Sequence, residues 1–289
     1  MSDQSYHKML KFHHMWRGKP LSSLELKELS KTLEDIGYES VLLTFHSDSP
    51  DYLVKAASAI IPGNKIKFMI ALRPYHMSPQ YCAMVTEGFN QIEPGRLMFN
   101  WIAGDSHNRL DEKPQMDVYG NTETLDNIVK RTTFLRDFVK QYQEMPVITK
   151  RSEMVFSGYS EYTLETTRMF GGTSLCMIDD YRNNIDRFNE IEKRMVAVSP
   201  IILESKEDVD KYKQFLPTIS SRFLAMSIAG TREEVKKELL ELENEGITDV
   251  LINTHRWEFF GQPNELSKKN DDLVNELIKE IHTEMGKLI

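Results

Sequence analysis

Histidine and arginine side chains recur where short apolar runs of the sequence end. Six of the eight histidines occupy such places, and an imidazole whose pKa lies near neutrality can give or take a proton in catalysis. A single loop histidine is more often an ordinary surface residue, so it is the shared position that predicts an active site. The residues concerned are His13, His14, His46, Arg73, His76, Asp105, His107, His255 and Arg256.

Metal binding is not favoured by the spacing of these residues. His13 and His14 are adjacent, so their side chains would face opposite sides of a strand, whereas barrel hydrolases hold metals with an HxH pair. The sequence also lacks GxSxG, Walker and GxGxxG motifs, which removes support for a serine nucleophile or a mononucleotide-binding fold. We therefore expect no metal at the site.

Two glycine-containing turns are candidates for holding a phosphate. FSGYS, residues 156–160, follows an apolar run and precedes a helical pattern, so backbone N–H groups and serine hydroxyls could meet a phosphate at a helix N-terminus. FGGT, residues 170–173, is the weaker candidate. The same letters also suit an ordinary helix N-cap, so both interpretations of the first turn stay open.

Helical patterns alternate with short apolar runs along the chain, which is typical of parallel β/α units. Ser22 and Glu25 fit a capping box at the start of the first helix, and Gly37 fits a C-cap at its end. The predicted strands are 8–13, 41–43, 66–72, 97–103, 154–156, 175–178, 196–203 and 248–253. Predicted helices cover 22–36, 51–61, 79–92, 122–142 and 231–245, and two more begin at 162 and 181.

A passage near the start of the chain is similar to one near its end. Residues 33–42 and 242–251 share a helix end, a glycine and a strand start, and His46 and His255 follow at the same offset. Such a repeat is expected where the first and last strands close a barrel. We therefore predict that residues 1–289 form a single domain with the (β/α)8 TIM-barrel fold and a catalytic face at the strand C-termini.

Composition narrows the class of protein. The chain has 289 residues and a net charge of −8, with both signs of charge interspersed, which does not suggest a nucleic-acid or anionic-membrane partner. No apolar stretch is long enough to span a bilayer. Cys82 and Cys176 lie in apolar surroundings without ligand spacing, so we expect free core thiols and a cytoplasmic protein.

The segment Lys65–Gly104, KIKFMIALRPYHMSPQYCAMVTEGFNQIEPGRLMFNWIAG, resembles the core of luciferase-like flavin-dependent monooxygenases. It is most similar to the alkanesulfonate monooxygenase branch, which has the same KF, ALRP, SP, GR and FN pairs at the same spacing. The resemblance implies a TIM barrel, here with shortened insertions, that forms dimers or tetramers. It also implies reduced FMN supplied by a separate reductase, and a flavin peroxide formed with O2.

The resemblance implies roles for individual residues. A non-prolyl cis peptide near Ala71–Leu72 would lie beneath the isoalloxazine ring, and Arg73 would favour an anionic reduced flavin or peroxide. Tyr119 stands in for a tyrosine that the family has after the fourth strand. The cofactor-binding residues implied are Ala71, Leu72, Asn100, Ala103, Gly104 and Tyr119 around the ring, and Ser157, Gly158, Tyr159 and Ser160 at the phosphate.

The substrate-binding positions depart from the alkanesulfonate pattern. Ser49 stands where those enzymes have cysteine, and His255 where they have tyrosine. The predicted seventh strand lacks their sulfonate-binding arginine and histidine, so we do not expect desulfonation. The candidates for substrate contact are His14, Ser49, Arg222 and Arg256.

The favoured interpretation is a monooxygenase that uses reduced FMN and O2 on a small, polar organic substrate. His46 or His255 would be the acid–base catalyst, and Arg73 would give electrostatic support. Two alternatives remain open: a deazaflavin-dependent oxidoreductase of the same fold, and a flavin-binding homologue without catalytic activity. A barrel metallohydrolase is a more distant possibility.

Overall fold

The computed structural model describes residues 10–16, 20–44, 51–74, 77–103, 128–146, 150–215, 224–253 and 264–286. The strands are β1 Lys11–Trp16, β2 Ser40–Leu43, β3 Lys67–Leu72, β4 Leu97–Ile102, β5 Glu153–Ser157, β6 Thr173–Met177, β7 Lys193–Ile202, β8 Ser227–Gly230 and β9 Asp249–Asn253. The helices are α1 Ser23–Ile36, α2 Tyr52–Ala59, α3 Pro79–Ile92, α4 Ile128–Glu144, α5 Glu161–Phe170, α6 Ile178–Asn183, α7 Lys206–Phe215, α8 Arg232–Asn244 and α9 Asn264–Glu284.

Eight parallel strands close into a barrel in the order β1 to β7 and then β9. The closing contacts pair Lys11–Met15 of β1 with Asp249–Asn253 of β9, and Met195–Val198 of β7 with the other edge of β9. The predicted (β/α)8 barrel is therefore confirmed. The sequence patterns missed β8, which pairs with the C-terminal half of β7, and also missed α7 and α9.

Local signals set the ends of α1 as predicted. The Ser22 side chain accepts a hydrogen bond from the Glu25 N–H, and the Glu25 carboxylate accepts one from the Ser22 N–H. Gly37 ends the helix at a φ of 109°, in the left-handed region that glycine tolerates. A Cβ there would lie 2.5 Å from His282 Cδ2, so glycine also allows α9 to pack closely.

Side chains alternate between the two faces of the barrel wall, as the two-residue period of a strand requires. The outward side chains, such as Phe12, Phe68 and Phe99, form the core between the strands and the helices. The inward side chains fill the lumen, and many are methionines: Met15, Met69, Met98, Met195 and, from the residue before β8, Met226. The lumen is thus a packed core.

The N-terminal end of the lumen holds a buried hydrogen-bonded triplet. His13 Nδ1 lies 2.7 Å from Ser40 Oγ, and His13 Nε2 lies 2.9 Å from Asp249 Oδ1. The expectation that His13 and His14 follow the first strand at the catalytic face is wrong, because both lie within β1. His13 instead joins β1, β2 and β9 at the opposite end of the barrel.

The Asp249 carboxyl owes its ionisation to this triplet. Burial alone would raise the pKa of Asp249, but hydrogen bonds from His13 and Thr248, together with the charge of His13, leave that pKa below its ordinary value. The ionised carboxylate therefore stabilises the folded barrel.

Asn270 of α9 stabilises β7 where this strand leaves β9 and joins β8. Its Nδ2 donates to the Pro200 carbonyl at 3.0 Å, and its Oδ1 accepts from the Ile202 N–H at 2.9 Å. These backbone groups face away from the β8 ladder and are buried, so the amide replaces a neighbouring strand.

The state of the cysteines and the character of the helices were also predicted from the sequence. Cys82 and Cys176 are free and buried, as expected, and burial raises the pKa of both thiols. Among the helices that the structure describes, none combines the length and apolar character needed to cross a membrane.

We expect Asn270→Ala to lower the free energy of unfolding by about 2–4 kcal/mol, because two buried backbone groups lose their partner and each costs about 1–3 kcal/mol when unmet. Urea denaturation followed by circular dichroism measures the change. Asp272→Ala, at an exposed position of the same helix, is the control and should shift the value by less than about 0.5 kcal/mol. Equal losses in the two variants would contradict the role of Asn270.

We expect Asp249→Asn to lose stability mainly at neutral pH. A carboxyl whose pKa is lower in the folded than in the unfolded protein stabilises the fold above about pH 4 and loses that effect as pH falls through its folded pKa. The difference in free energy of unfolding between the native protein and Asp249→Asn should therefore shrink on acidification. Urea denaturation at a series of pH values checks this, and a difference that grows towards low pH would refute it.

Candidate functional site

The C-terminal end of the lumen has a row of small and polar side chains across β3, β4 and β5. Ala71 pairs with Asn100 in the ladder between β3 and β4. Ser157, at the end of β5, donates from its hydroxyl to Asn100 Oδ1 at 2.7 Å. Asn100 is buried and neutral, so it can lie in the lumen without the cost of burying a charge. Ala71 and Asn100 were predicted beside the flavin ring and Ser157 in the turn at the phosphate, and the structure brings the three residues together.

The FSGYS turn combines a glycine turn with a helix N-cap. Gly158 has a φ of 132°, and its N–H donates to the Leu175 carbonyl at 2.8 Å. Ser160 Oγ lies 2.9 Å from Thr163 Oγ1 and accepts from the Thr163 N–H at 3.3 Å, which makes Ser160 the N-cap of α5. Tyr159 is exposed. The Ser157 hydroxyl, the Gly158 N–H and Ser160 all have partners within the protein, so a phosphate here would meet the other backbone N–H groups at the start of α5.

Arg73 lies directly after β3 and is buried at the C-terminal end of the barrel. Leu72 and Ala103 have their side chains in the outer core, so only their backbones are available to a ligand in the lumen.

The cis peptide expected at Ala71–Leu72 is absent, and every peptide bond among the described residues is trans. Here β3 keeps its regular parallel pairing with β4 as far as Leu72 and Trp101.

His14 lies on the other side of the barrel wall from the lumen. Its ring packs edge-on against Tyr38, with the ring centroids 5.4 Å apart. Burial lowers the pKa of His14 to about 4, so the imidazole is neutral at physiological pH. Because neighbouring residues of a strand face opposite ways, His14 does not face the C-terminal lumen where a substrate was expected.

The remaining candidate residues lie outside the part of the chain that the structure describes. They are the proposed acid–base residues His46 and His255, the cofactor candidates Gly104 and Tyr119, and the substrate candidates Ser49, Arg222 and Arg256. The same holds for His76, Asp105 and His107.

The sequence analysis missed a second polar pair at this end of the lumen. Asn253, the last residue of β9, donates from Nδ2 to Ser199 Oγ of β7 at 2.8 Å, and its Nδ2 lies 3.9 Å from Met226 Sδ. Both polar residues are buried. The signal that could have revealed them is a polar residue at an inward position of an otherwise apolar strand.

Below these polar residues, the lumen is lined by thioethers and small side chains. Ala71 and Ala197 lie among Met15, Met69 and Met195. Methionine side chains are flexible and polarizable, so they adapt to irregular shapes. In the described ranges, no group of three or more His, Cys, Asp or Glu is placed to hold a metal ion. The arrangement therefore suits an organic ligand with a few hydrogen-bonding groups.

Comparison with known proteins shows the fold. No protein-family model matches the chain. EDTA monooxygenase from Chelativorans sp. BNC1 is 11% identical with a TM-score of 0.67, over 93% of each chain. The oxygenating constituent of 3,6-diketocamphane monooxygenase from Pseudomonas putida, in complex with FMN, is 11% identical with a TM-score of 0.65, over 94% of this chain and 98% of that chain.

The third similar structure is a reductase. The coenzyme F420-dependent tetrahydromethanopterin reductase from Methanopyrus kandleri is 16% identical with a TM-score of 0.60, over 84% of this chain and 92% of that chain. At these identities the likeness establishes a common architecture and leaves activity open. The chain therefore has the (β/α)8 barrel fold of these two monooxygenases and this reductase.

Proposed function

We propose that this protein is a flavin-dependent monooxygenase of the luciferase-like superfamily, which oxidises a small organic substrate with O2 and reduced FMN. The observation that carries the proposal is the row formed by Ala71, Asn100 and Ser157 at the C-terminal end of the lumen. Active sites of TIM-barrel enzymes lie at this end. The more specific assignment of this protein to the alkanesulfonate monooxygenase branch stays a prediction.

The residues at this end fit a flavin. Ala71 takes little space beside the ring, and Asn100 keeps Nδ2 as a donor because Ser157 occupies its Oδ1. Arg73 places a cation at the end of β3, where it would favour a negatively charged ring. When bound, reduced FMN would supply the two electrons with which one oxygen atom of O2 enters the substrate and the other leaves as water.

The protein's own residues would bind, orient and move protons. Backbone N–H groups at the start of α5 would hold the phosphate, and Asn100, supported by the Ser157 hydroxyl, would orient the ring. His46 or His255 would donate or accept the proton, and a separate reductase would deliver the reduced FMN.

Similarity to the F420-dependent reductase favours a second candidate, a deazaflavin-dependent oxidoreductase that transfers a hydride. A flavin-binding homologue without catalytic activity is the third. Cofactor preference and turnover distinguish the three.

We expect the protein to bind reduced FMN more tightly than a reduced deazaflavin in anaerobic fluorescence titrations. Asn100→Leu should raise the Kd for reduced FMN by about tenfold, because it removes a hydrogen bond inside the lumen. Asn244→Leu, at the exposed end of α8, is the matched control and should leave the Kd unchanged. Ser157→Ala should weaken binding as well, through the lost support of Asn100.

Turnover completes this test. With a flavin reductase, NAD(P)H, FMN and a pool of small polar compounds, the protein should form an oxygenated product that incorporates 18O from O2. Tighter binding of the deazaflavin would favour the second candidate. FMN binding without any protein-dependent product would favour the third.

An apolar stripe on α3 supports the proposed homo-oligomer. Tyr81, Met84 and Ile92 lie on one face of the helix and are 55%, 63% and 51% exposed. Gly88 continues the same face, and a Cβ there would meet no atom within 4 Å. The stripe runs along the helix at spacings of three and four residues without a charge, as in faces that pack against another helix. We propose that a second copy of the chain covers it.

We expect Met84→Glu to shift the protein towards the monomer in size-exclusion chromatography with light scattering, because a carboxylate at the centre of an apolar interface loses its hydration. Met169→Glu, the same change at an exposed position of α5, is the control and should leave the mass unchanged. A monomeric native protein, or equal effects of the two substitutions, would refute the α3 interface.

A further inference from the structure

Two asparagine–serine pairs lie on opposite sides of the C-terminal lumen. One joins Asn100 of β4 to Ser157 of β5, and the other joins Asn253 of β9 to Ser199 of β7. In the ring of eight strands, β4 and β9 are four strands apart, so the two amides are on diametrically opposite walls. Both belong to inward positions, since Met98 and Leu251, two residues before each, lie in the lumen.

The two asparagines present opposite ends of the amide to their serines: Asn100 presents its oxygen and Asn253 its nitrogen. Ser157 donates to Asn100 Oδ1, which leaves the Asn100 amide as a hydrogen-bond donor. At the other wall, Asn253 Nδ2 donates to Ser199 Oγ, and its approach to the Met226 thioether, which can only accept, agrees with nitrogen on that side. Asn253 Oδ1 is therefore left as the acceptor, and it has no hydrogen-bond partner among the residues that the structure describes.

The position of Asn253 follows from a fork in the sheet. As far as Val198, β7 pairs with β9, and from Ser199 onwards it pairs with β8. The Ser199 N–H donates to the Met226 carbonyl at 2.6 Å, which draws β7 towards β8 at the residue where the pairing changes. Asn253 ends β9 beside this fork, so its side chain lies where two neighbouring strands separate.

An unmet buried acceptor destabilises a protein, and a leucine of similar size would avoid that cost. Buried polar groups without a partner are few in native structures, and each calls for a functional or structural reason. Asn253 is 1% exposed, which puts its amide well inside the lumen rather than at a hydrated rim. A ligand that donates a hydrogen bond would supply the missing partner.

We propose that Asn253 Oδ1 accepts a hydrogen bond from the organic substrate, and that Ser199 is the positioning residue that holds the amide in this orientation. The substrate class is a compound with an O–H or N–H donor, such as an alcohol, an amide or an ammonium. An anionic head group is disfavoured, because the amide oxygen carries partial negative charge. Assigning the ligand as substrate rests on the proposed function, in which the β3–β5 wall holds the flavin.

The test uses two isomeric probes, pentan-1-ol, which donates a hydrogen bond, and 1-methoxybutane, which does not. In the native protein, the side-chain amide signal of Asn253, identified by its loss in Asn253→Leu, reports whether each probe reaches this residue. The methyl signal of Met226, which lies beside Asn253, is followed by NMR in the native protein and in every variant as each probe is added. The native protein should bind the alcohol about three- to tenfold more tightly than the ether, and Asn253→Leu should lose this preference. Equal binding of the isomers by the native protein, or the same preference in Asn253→Leu, would overturn the proposal.

Three further variants separate recognition from folding. Asn253→Asp should bind pentylammonium at least about tenfold more tightly than the native protein does, because a carboxylate accepts a stronger hydrogen bond. Ser199→Ala should reduce the preference for the alcohol, because it removes the hydroxyl that orients Asn253. Ser199→Thr keeps a hydroxyl and should therefore keep the preference. The urea midpoint of Asn253→Leu should be equal to or above that of the native protein, and a large fall would show that the amide is structural and overturn the proposal.

The same probes distinguish this proposal from the flavin assignment. Asn100→Leu should weaken the binding of reduced FMN and should keep the preference for pentan-1-ol over 1-methoxybutane. If FMN does not bind but the preference depends on Asn253, the proposed function fails and the acceptor site stands. If FMN binds as expected and Asn253→Leu behaves as the native protein, only the acceptor site fails.

Discussion

The pairing of β9 with both β1 and β7 is the constraint on which the rest of this molecule depends. It joins the two ends of the chain, since Lys11–Met15 lies against Asp249–Asn253. Closure removes the free edges that an open sheet would expose, and it fixes which side chains face the lumen and which face the helices. The bond between His13 and Asp249 crosses this seam, and α9 packs over the outer face of β1 through His282 and Phe12.

The polarity of the lumen side chains changes along the barrel axis. Charged and polar side chains lie near the two ends, and apolar side chains fill the middle, where no water can solvate a polar group. The N-terminal end holds charged groups that are paired, as Lys67 is with Glu153 at 2.5 Å. The middle is apolar and rich in methionine. The inward polar residues at the C-terminal ends of β4, β5 and β9, and Ser199 of β7, carry neutral amides and hydroxyls, which can be buried at a lower cost than charges and still hold a fixed direction. The paired charges thus lie at one end of the barrel and the proposed ligand site at the other.

Features that depend on a few neighbouring residues could be predicted from the sequence. The capping box of Ser22 and Glu25, the cap at Gly37 and the alternation of helices with apolar strands are local, so they led to the right fold. The short strand β8 was missed because its four residues, SIAG, include only one large apolar side chain, so its alternating burial is not visible in the sequence. Helix α7 was missed because it has only ten residues and most of them are charged or polar, so the short apolar face of Val209 and Tyr212 was not recognised.

The candidate site was predicted only in part. The row of Ala71, Asn100 and Ser157 followed from a family resemblance. The predicted placement of His13 and His14 was wrong, because β1 begins and ends three residues later than the predicted strand 8–13 and therefore contains both residues. The sequence by itself determined the barrel and all of its elements except β8, α7 and α9, since periodicity and caps act within each element. Only the tertiary structure decided that Asn100 and Asn253 face each other and that Ser199 lies at a fork, because both depend on how distant strands pair.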